Sequence, residues 1–382
     1  MRKKIQYTLY SFIHDSRSVG IVLLCCTALS LIISNLSFGK GYHDFWEMEI
    51  PFFQAVHLPH SMLHFINDAL MAVFFFLAGM EIKREMLVGE LSSLKQAILP
   101  VIAAMSGVAL PAIIFLLFNK GTDFQNGWAI PTATDIAFSL GIVALLGKKV
   151  PDSLRVFLTA LAIIDDLIAI LVIALFYGSQ IEWLYFLGAI AAMVSLFFLN
   201  KMIKQKFQWL RLLFGVALWF CMYHSGIHAT VAGVVFAFLL PRELLHVYED
   251  KLHTFVNFVV IPIFVLANTS ILLPSNFLGA FESTLSWGII VGLFIGKPLG
   301  IVGVSLGLIK SKLAEMPHGA NLRQFWGVGI LAGIGFTMSI FVSSLAFNNA
   351  DVQSTAKIAV IAGSFLSMIV GFIWLKFSCN KQ

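Results

Sequence analysis

Two aspartates, Asp165 and Asp166, stand side by side in the otherwise apolar run LTALAIIDDLIAILVIALFY. At the centre of a membrane helix each carboxylate costs about 2.5–3.5 kcal/mol. Three more charges lie deep in apolar runs: Asp68, Asp135 and the cation Lys297. Neighbouring residues on a helix point about 100° apart. The two aspartates can therefore both border a water-filled cavity, or one can face it while the other meets a partner such as Lys297 or Thr134. Two carboxylates this close titrate as a coupled pair, holding protons at modest acidity and losing them as pH rises. Deprotonated, and joined by hydroxyl and carbonyl oxygens, they form a hard-oxygen ligand set suited to small cations. If one set of oxygens takes either protons or a cation, a site exposed alternately to two sides exchanges one for the other.

The elements that must hold such a pair are membrane spans. Of the 382 residues, 59% are hydrophobic and only 12% charged, about half the charge of a soluble domain. Mean hydropathy is +0.90. Twelve apolar stretches recur, at roughly 19–37, 61–82, 96–118, 126–146, 154–177, 183–200, 210–223, 225–240, 254–273, 285–309, 326–347 and 356–377, most of them long enough to cross a hydrocarbon core about 30 Å thick. With twelve spans and a cytoplasmic start, 21 of the 25 Lys and Arg fall on the inner side, against Lys40, Lys120 and Lys357 outside. Basic loops stay in the cytoplasm, so this asymmetry predicts that both termini are cytoplasmic. It also accounts for the pI near 9.0 without a nucleic-acid partner. The opening MRKKIQYTLYSFIHDSRS is basic, has no small-residue cleavage site after it, and reads as a retained amphipathic segment at the membrane surface. The four cysteines show no metal or disulfide spacing.

Two spans are interrupted. WAIPTATDIAFSLGIVALL carries Pro131 and Asp135 at its middle, and GILAGIGFTMSIFVSSLAF carries Gly333, Gly335 and Thr337. The first is central to the unit 96–177 and the second to 285–377. Corresponding spans are seven apart, an odd number, so the two units run in opposite directions. Interrupted spans at matching positions of two inverted units point to a transport site near the midplane, where the broken helices cross. Half-helix ends there need compensating charge. Asp135 suits the positive N-termini and Lys297 the negative C-termini, with Thr134 in support.

The expected fold is thus all-α and polytopic, with twelve transmembrane helices, two inverted three-helix repeats and two broken helices. Residues 1–382 form a single transmembrane transporter domain.

The segments GWAIPTATDIAFSLG, ALAIIDDLIAI, SGIHATVAG, IGKPLGI and GIGFTMSIF resemble the signature segments of the NhaA-type sodium/proton antiporters of bacterial inner membranes, from about residue 10 to 377. The inverted repeat is itself a known property of that family. The resemblance implies that Asp165 and Asp166 bind cation and protons, with Asp166 most often assigned the cation. It implies that Asp135 and Lys297 balance the half-helix dipoles, and that Lys297 pairs with Asp165 and carries a proton. It implies electrogenic exchange of two inward protons for each Na+ or Li+ expelled, activation at alkaline pH, and a homodimer joined through the outer loop 38–60, whose YHDFWEMEI is compatible with a strand. Glu81, Arg84, Glu85, Glu249 and His253 would map to a pH-responsive funnel, and His228 to a histidine that tunes the profile. In PRELLHVYEDKLH the corresponding loop is shorter and less basic than the family's, and Asp250 replaces an expected histidine, which leaves the pH threshold open.

Plainer readings stand beside these. The aspartate pair could fix helix packing, Lys297 could be a structural counter-ion, and Asp68 could make an inter-helix hydrogen bond or line an ion path. His228 could be a packed histidine, and the Lys83–Arg84–Glu85 run a solvated span end. GKPLG lacks the spacing of a phosphate loop. No cofactor and no enzyme activity are expected. A sodium-coupled symporter of organic solutes is the main alternative, although Lys297 beside the aspartates is hard to explain there. An intramembrane aspartyl protease ranks far behind.

Overall fold

The computed structural model describes residues 16–202, 208–273 and 277–379. Residues 1–15 of the segment expected to lie on the membrane surface, together with Lys204, Lys206 and Lys381 of the charge asymmetry, fall outside the described residues. Among those described, every named element is helical, with one isolated antiparallel bridge between Glu49 and Ser61. Among the described residues nine helices are long and apolar enough to cross a membrane, or ten with one bent pair counted as a span. The remaining two apolar stretches form shorter helices, Gln208–His224 with 17 residues and Val231–Leu239 with nine. Neither reaches the roughly 20 residues of a full span.

The described residues fall into two compact units, each assembled from separate stretches of chain. The first takes Met1–Ala28, Glu90–Ala169 and Ile271–Gln382. Its long helices are α4 (Leu94–Asn119), α6 (Asp152–Phe176) as far as Ala169, α11 (Thr284–Lys310) and α14 (Ala350–Cys379). Helices α4 and α11 touch backbone to backbone: a Cβ on Gly300 would lie 2.4 Å from the Ser106 carbonyl oxygen. The Ser106 hydroxyl donates to the Gly300 carbonyl at 2.9 Å. At the far end of the same pair, Asn119 Nδ2 donates to the Thr284 carbonyl at 3.2 Å while the Thr284 hydroxyl donates back to Asn119 Oδ1 at 3.0 Å. In lipid, where apolar surface gives no drive for helix association, such small-residue contacts and polar pairs hold helices together.

The second unit takes Leu29–Gly89 and Ile170–Ser270. Here α3 (Met62–Val88) packs on α9 (Val231–Leu239), with α7 (Trp183–Met202), α8 (Gln208–His224) and α10 (Arg242–Asn268). A Cβ on Gly233 would meet the Ala72 carbonyl oxygen at 2.2 Å, so the close approach of α3 and α9 requires glycine there. Only 17% of the apolar window of α7 is buried, against 72% for α6; α7 presents its side chains to lipid, whereas α6 is surrounded by protein.

The loop 38–60 differs from the strand its composition allows. Gly39–Glu47 and Pro51–Ala55 are helical. The spacing explains it: Tyr42, Phe45 and Trp46 share one helical face, with ring centroids 5.9 Å apart for Tyr42–Trp46 and 5.0 Å for Phe45–Trp46. The Tyr42 hydroxyl donates to the Leu266 carbonyl at 3.1 Å, anchoring the segment within its unit.

Candidate functional site

The first unit contains both interrupted spans and four of the five deep charges. The first break separates a 3₁₀ segment, Gln125–Thr132, from α5 (Ile136–Leu145). Pro131 disfavours helical backbone in the residue before it and cannot donate a hydrogen bond; past it, Ala133 and Asp135 are extended, with ψ of 153° and 104°. The second break, Gly333 to Gly335, separates α12 (Leu322–Leu331) from α13 (Phe336–Ala346), which meet at a 42° bend.

The two breaks satisfy each other's backbone. Asp135 N–H donates to the Ile334 carbonyl at 2.6 Å, the Thr134 hydroxyl to the Ala332 carbonyl at 2.9 Å, and the Ser339 hydroxyl to the Ile130 carbonyl at 2.6 Å. Gly335 permits this closeness, since a Cβ there would lie 3.0 Å from the Ala133 carbonyl oxygen. Without such bonds, broken helices would leave orphan backbone groups in an apolar surrounding.

Asp135 is the N-cap of α5, accepting from Phe138 N–H at 3.1 Å. Its other oxygen accepts from Thr337 N–H at 3.0 Å and from the Thr337 hydroxyl, in the first turn of α13. One carboxylate thus faces the positive ends of two half-helices. Lys297 does the converse. Its ammonium donates to the Thr132 carbonyl, at the C-terminal end of the 3₁₀ segment, and to Asp165 Oδ2. The aim of Lys297 has a local cause. Pro298 has no N–H for the preceding turn, and α11 widens into a π-turn over Gly292–Gly296 immediately before Lys297.

The ion pair is sealed, with Lys297 at 0% and Asp165 at 1% exposure. Asp166 is buried at 5%. Asp165 Oδ1 is buried and accepts no hydrogen bond, while the Thr134 hydroxyl stands close enough to act on the same carboxylate. Lys297 also acts electrostatically on Asp166. Of the two aspartates, Asp165 meets Lys297 directly. Among the described residues no three His, Cys, Asp or Glu converge as a metal site.

The sequence profile of the Na+/H+ antiporter 1 family matches residues 10–375. The chain belongs to this family. The Na(+)/H(+) antiporter NhaA of Cytophaga hutchinsonii is 43% identical over 384 residues, covering 99% of this chain and 97% of its own length. The Na(+)/H(+) antiporter NhaA 2 of Flavobacterium johnsoniae is 46% identical over 393 residues, 100% of this chain and 96% of its own. The Na(+)/H(+) antiporter NhaA of Salmonella paratyphi B is 44% identical over 383 residues, 97% and 98% respectively. As a member of the antiporter family the chain is a multi-span transporter and not an enzyme.

The remaining candidates of this antiporter-family chain lie in the second unit. Arg84 bridges Glu85 at 3.3 Å and Glu249 at 3.2 Å, and Glu81 stands within electrostatic reach of all three. His246, which the sequence did not single out, is 3.9 Å from Glu249. His253 is exposed further along α10, beside Asn257. His228 is apart from that cluster: its Nε2 meets the Tyr177 carbonyl at 2.6 Å, at the opposite end of α9. Asp68 sits in a π-turn, Ile66–Leu70, and its backbone carbonyl accepts from the Trp219 indole at 3.0 Å. Sequence reasoning missed the Thr132 carbonyl as a Lys297 partner, because backbone acceptors leave no signature in residue type.

Proposed function

We propose that the chain exchanges Na+ or Li+ for protons at the Asp165–Asp166 pair, expelling the cation and driven by the inward proton gradient. The observation that carries this reading is the sealed Lys297–Asp165 ion pair, with Asp166 beside it, where two broken helices meet. Asp166 is the principal cation ligand. Asp165 Oδ1 and the Thr134 hydroxyl supply further hard oxygens, and Asp135 and Lys297 hold the half-helix ends in register. Charge balance then yields electrogenicity. Two carboxylates and one ammonium sum to −1; one Na+ brings the site to zero, whereas two protons bring it to +1. A cycle that swaps them moves one net positive charge inward. Lys297 and Asp165 share the second proton, so that loss of a proton from their pair accompanies cation binding.

On the same reading the chain is one transmembrane domain of twelve spans in the bacterial inner membrane, with cytoplasmic termini. Support for its inverted repeats comes from the first unit, which combines Glu90–Ala169 with Ile271–Gln382, each stretch holding an interrupted span between long helices. Glu81, Arg84, Glu85 and Glu249 confer activation at alkaline pH, with His228 and His253 in support. The segment 38–60 contributes to a homodimer.

The test uses everted vesicles from an antiporter-deficient strain with an acid interior. Addition of Na+ or Li+, but not K+, is expected to dissipate the pH gradient, more strongly as pH rises, and Asp166→Asn is expected to abolish the response. No cation response at any pH would overturn antiport and favour sodium-coupled solute uptake.

A further inference from the structure

At the corner between α9 and α10 the Leu240 N–H serves the Phe236 and Ala237 carbonyls, and the residue after it has no N–H to give. Helix α9 ends at Leu239, and Pro241, which has no N–H, follows Leu240. The carbonyls at the end of a helix need donors, and here side chains from two other helices provide them. Lys83 Nζ, near the end of α3, donates to the Phe238 carbonyl at 2.7 Å and the Leu240 carbonyl at 2.5 Å. Asn200 of α7 donates to the Leu239 carbonyl between them at 2.8 Å. Arg211, buried in α8, holds Asn200 in turn through its Oδ1 at 2.8 Å. An ammonium at a helix C-terminus also meets the negative end of the helix dipole.

The residue after Lys83 grips the other side of the same corner. Arg84 reaches Glu249, two turns into α10. Consecutive residues of α3 thus fasten the corner before and after its turn, one to backbone carbonyls and the other to a carboxylate. Beneath them lies a cavity of about 360 Å³ lined by Arg84, Leu87, Val88, Arg242, Glu243 and His246, among others. Two of its lining residues, Arg84 and His246, are those that meet the buried Glu249.

We infer that Lys83 is a positioning residue for the pH response: by fastening the last carbonyls of α9 it fixes the distance between Arg84 and Glu249. The inference rests on the reading of Glu81, Arg84, Glu85 and Glu249 as the pH-responsive group. The charged and titratable groups around Lys83 are Glu81, Arg84 and Glu85 on its own helix and Glu243, His246, Tyr248 and Glu249 on α10, with Arg242 at the corner and Arg211 on α8. Helix α9 contributes none. Once the corner loosens, Arg84 and Glu249 no longer stand at a fixed separation. The pH at which activation begins then shifts.

The experiment measures the pH profile of Na+-dependent exchange in everted vesicles for the wild-type chain, Lys83→Gln, Lys83→Arg and Asn200→Ala. Lys83→Gln is expected to shift half-activation by about 0.5 pH unit, a roughly threefold change in apparent proton affinity. Half-saturation by Na+ at full activation should stay within about twofold, a difference of less than 0.5 kcal/mol. Lys83→Arg keeps a cation and several donors and is expected to restore the profile. Asn200→Ala, which strips the middle carbonyl without touching Lys83, is expected to shift it in the same direction by less, and provides the test if Lys83→Gln does not accumulate. A wild-type profile in Lys83→Gln, or a rate lowered equally at every pH, overturns the inference alone. A wild-type chain that exchanges Na+ equally at all pH values overturns the pH-response reading, and the inference with it.

Discussion

Replacing Lys297 by methionine preserves the length and most of the volume of the side chain but removes the ammonium. Two acceptors then lose their donor: Asp165 Oδ2 and the Thr132 carbonyl. Both partners of the ion pair are almost completely shielded from water. Removing one member of a buried pair typically costs about 3–5 kcal/mol, because the other is left as an uncompensated charge. Asp165→Asn leaves the ammonium uncompensated and should cost a similar amount. The double variant strands neither member of the pair, and Asp166, which loses the same cation in Lys297→Met, is affected alike in both. Its main loss is the donor to the Thr132 carbonyl, about 1–3 kcal/mol for a buried group without its hydrogen bond. The double variant should therefore be more stable than either single one, which is strong non-additivity. Thermal denaturation of the four purified proteins in one detergent at neutral pH provides the assay, with the melting order as readout. A double variant destabilised by the sum of the single effects would refute the claim that the two groups meet as a charged pair.

Other substitutions probe the surrounding frame. Thr337→Val removes the hydroxyl that donates to Asp135 while leaving the Thr337 N–H in place; a loss of about 1–3 kcal/mol should appear as a lower melting temperature, and Thr337→Ser should recover part of it. Gly300→Val drives a Cβ against the Ser106 carbonyl oxygen, 2.4 Å away, a backbone atom that cannot rotate aside; destabilisation of about 1–3 kcal/mol or more is expected by the same measurement. The apparent affinity for Na+ should weaken as pH falls, by about tenfold per pH unit for each competing proton once the carboxylates are protonated. Na+ titrations of exchange at several pH values would read that slope, and a pH-independent affinity would contradict a shared site.

Much of the first unit was legible in the sequence because expensive features are conspicuous there. A charge in an apolar run has few bland explanations, so Asp135, Asp165, Asp166 and Lys297 stood out, and the structure brings all four into one unit. Pro131 and the pair Gly333 and Gly335 marked both breaks by their backbone chemistry. The pairing of Lys297 with Asp165 was open on residue type alone, since a helix places the two aspartates in different directions and Thr134 was as good a candidate. The π-turn before Lys297 decides it, and π-turns follow from hydrogen-bond register, which composition does not encode. Lys83 was obscured for a related reason. At the end of a span a lysine reads as solvated, and only the absence of a donor at Pro241 makes its role evident. The helix at Gly39–Glu47 depended on aromatic residues meeting at helical spacing, a signal too short to outweigh the strand-forming types within it.

The central claim is that protons and the transported cation compete for the same carboxylates. The most direct measurement adds Na+ to the purified protein in lightly buffered detergent solution and follows proton release with a pH indicator. The account predicts that saturable Na+ binding releases protons, that Li+ does the same and K+ does not, and that Asp166→Asn abolishes binding and release together. Saturable Na+ binding without proton release, or release undiminished in Asp166→Asn, would contradict it.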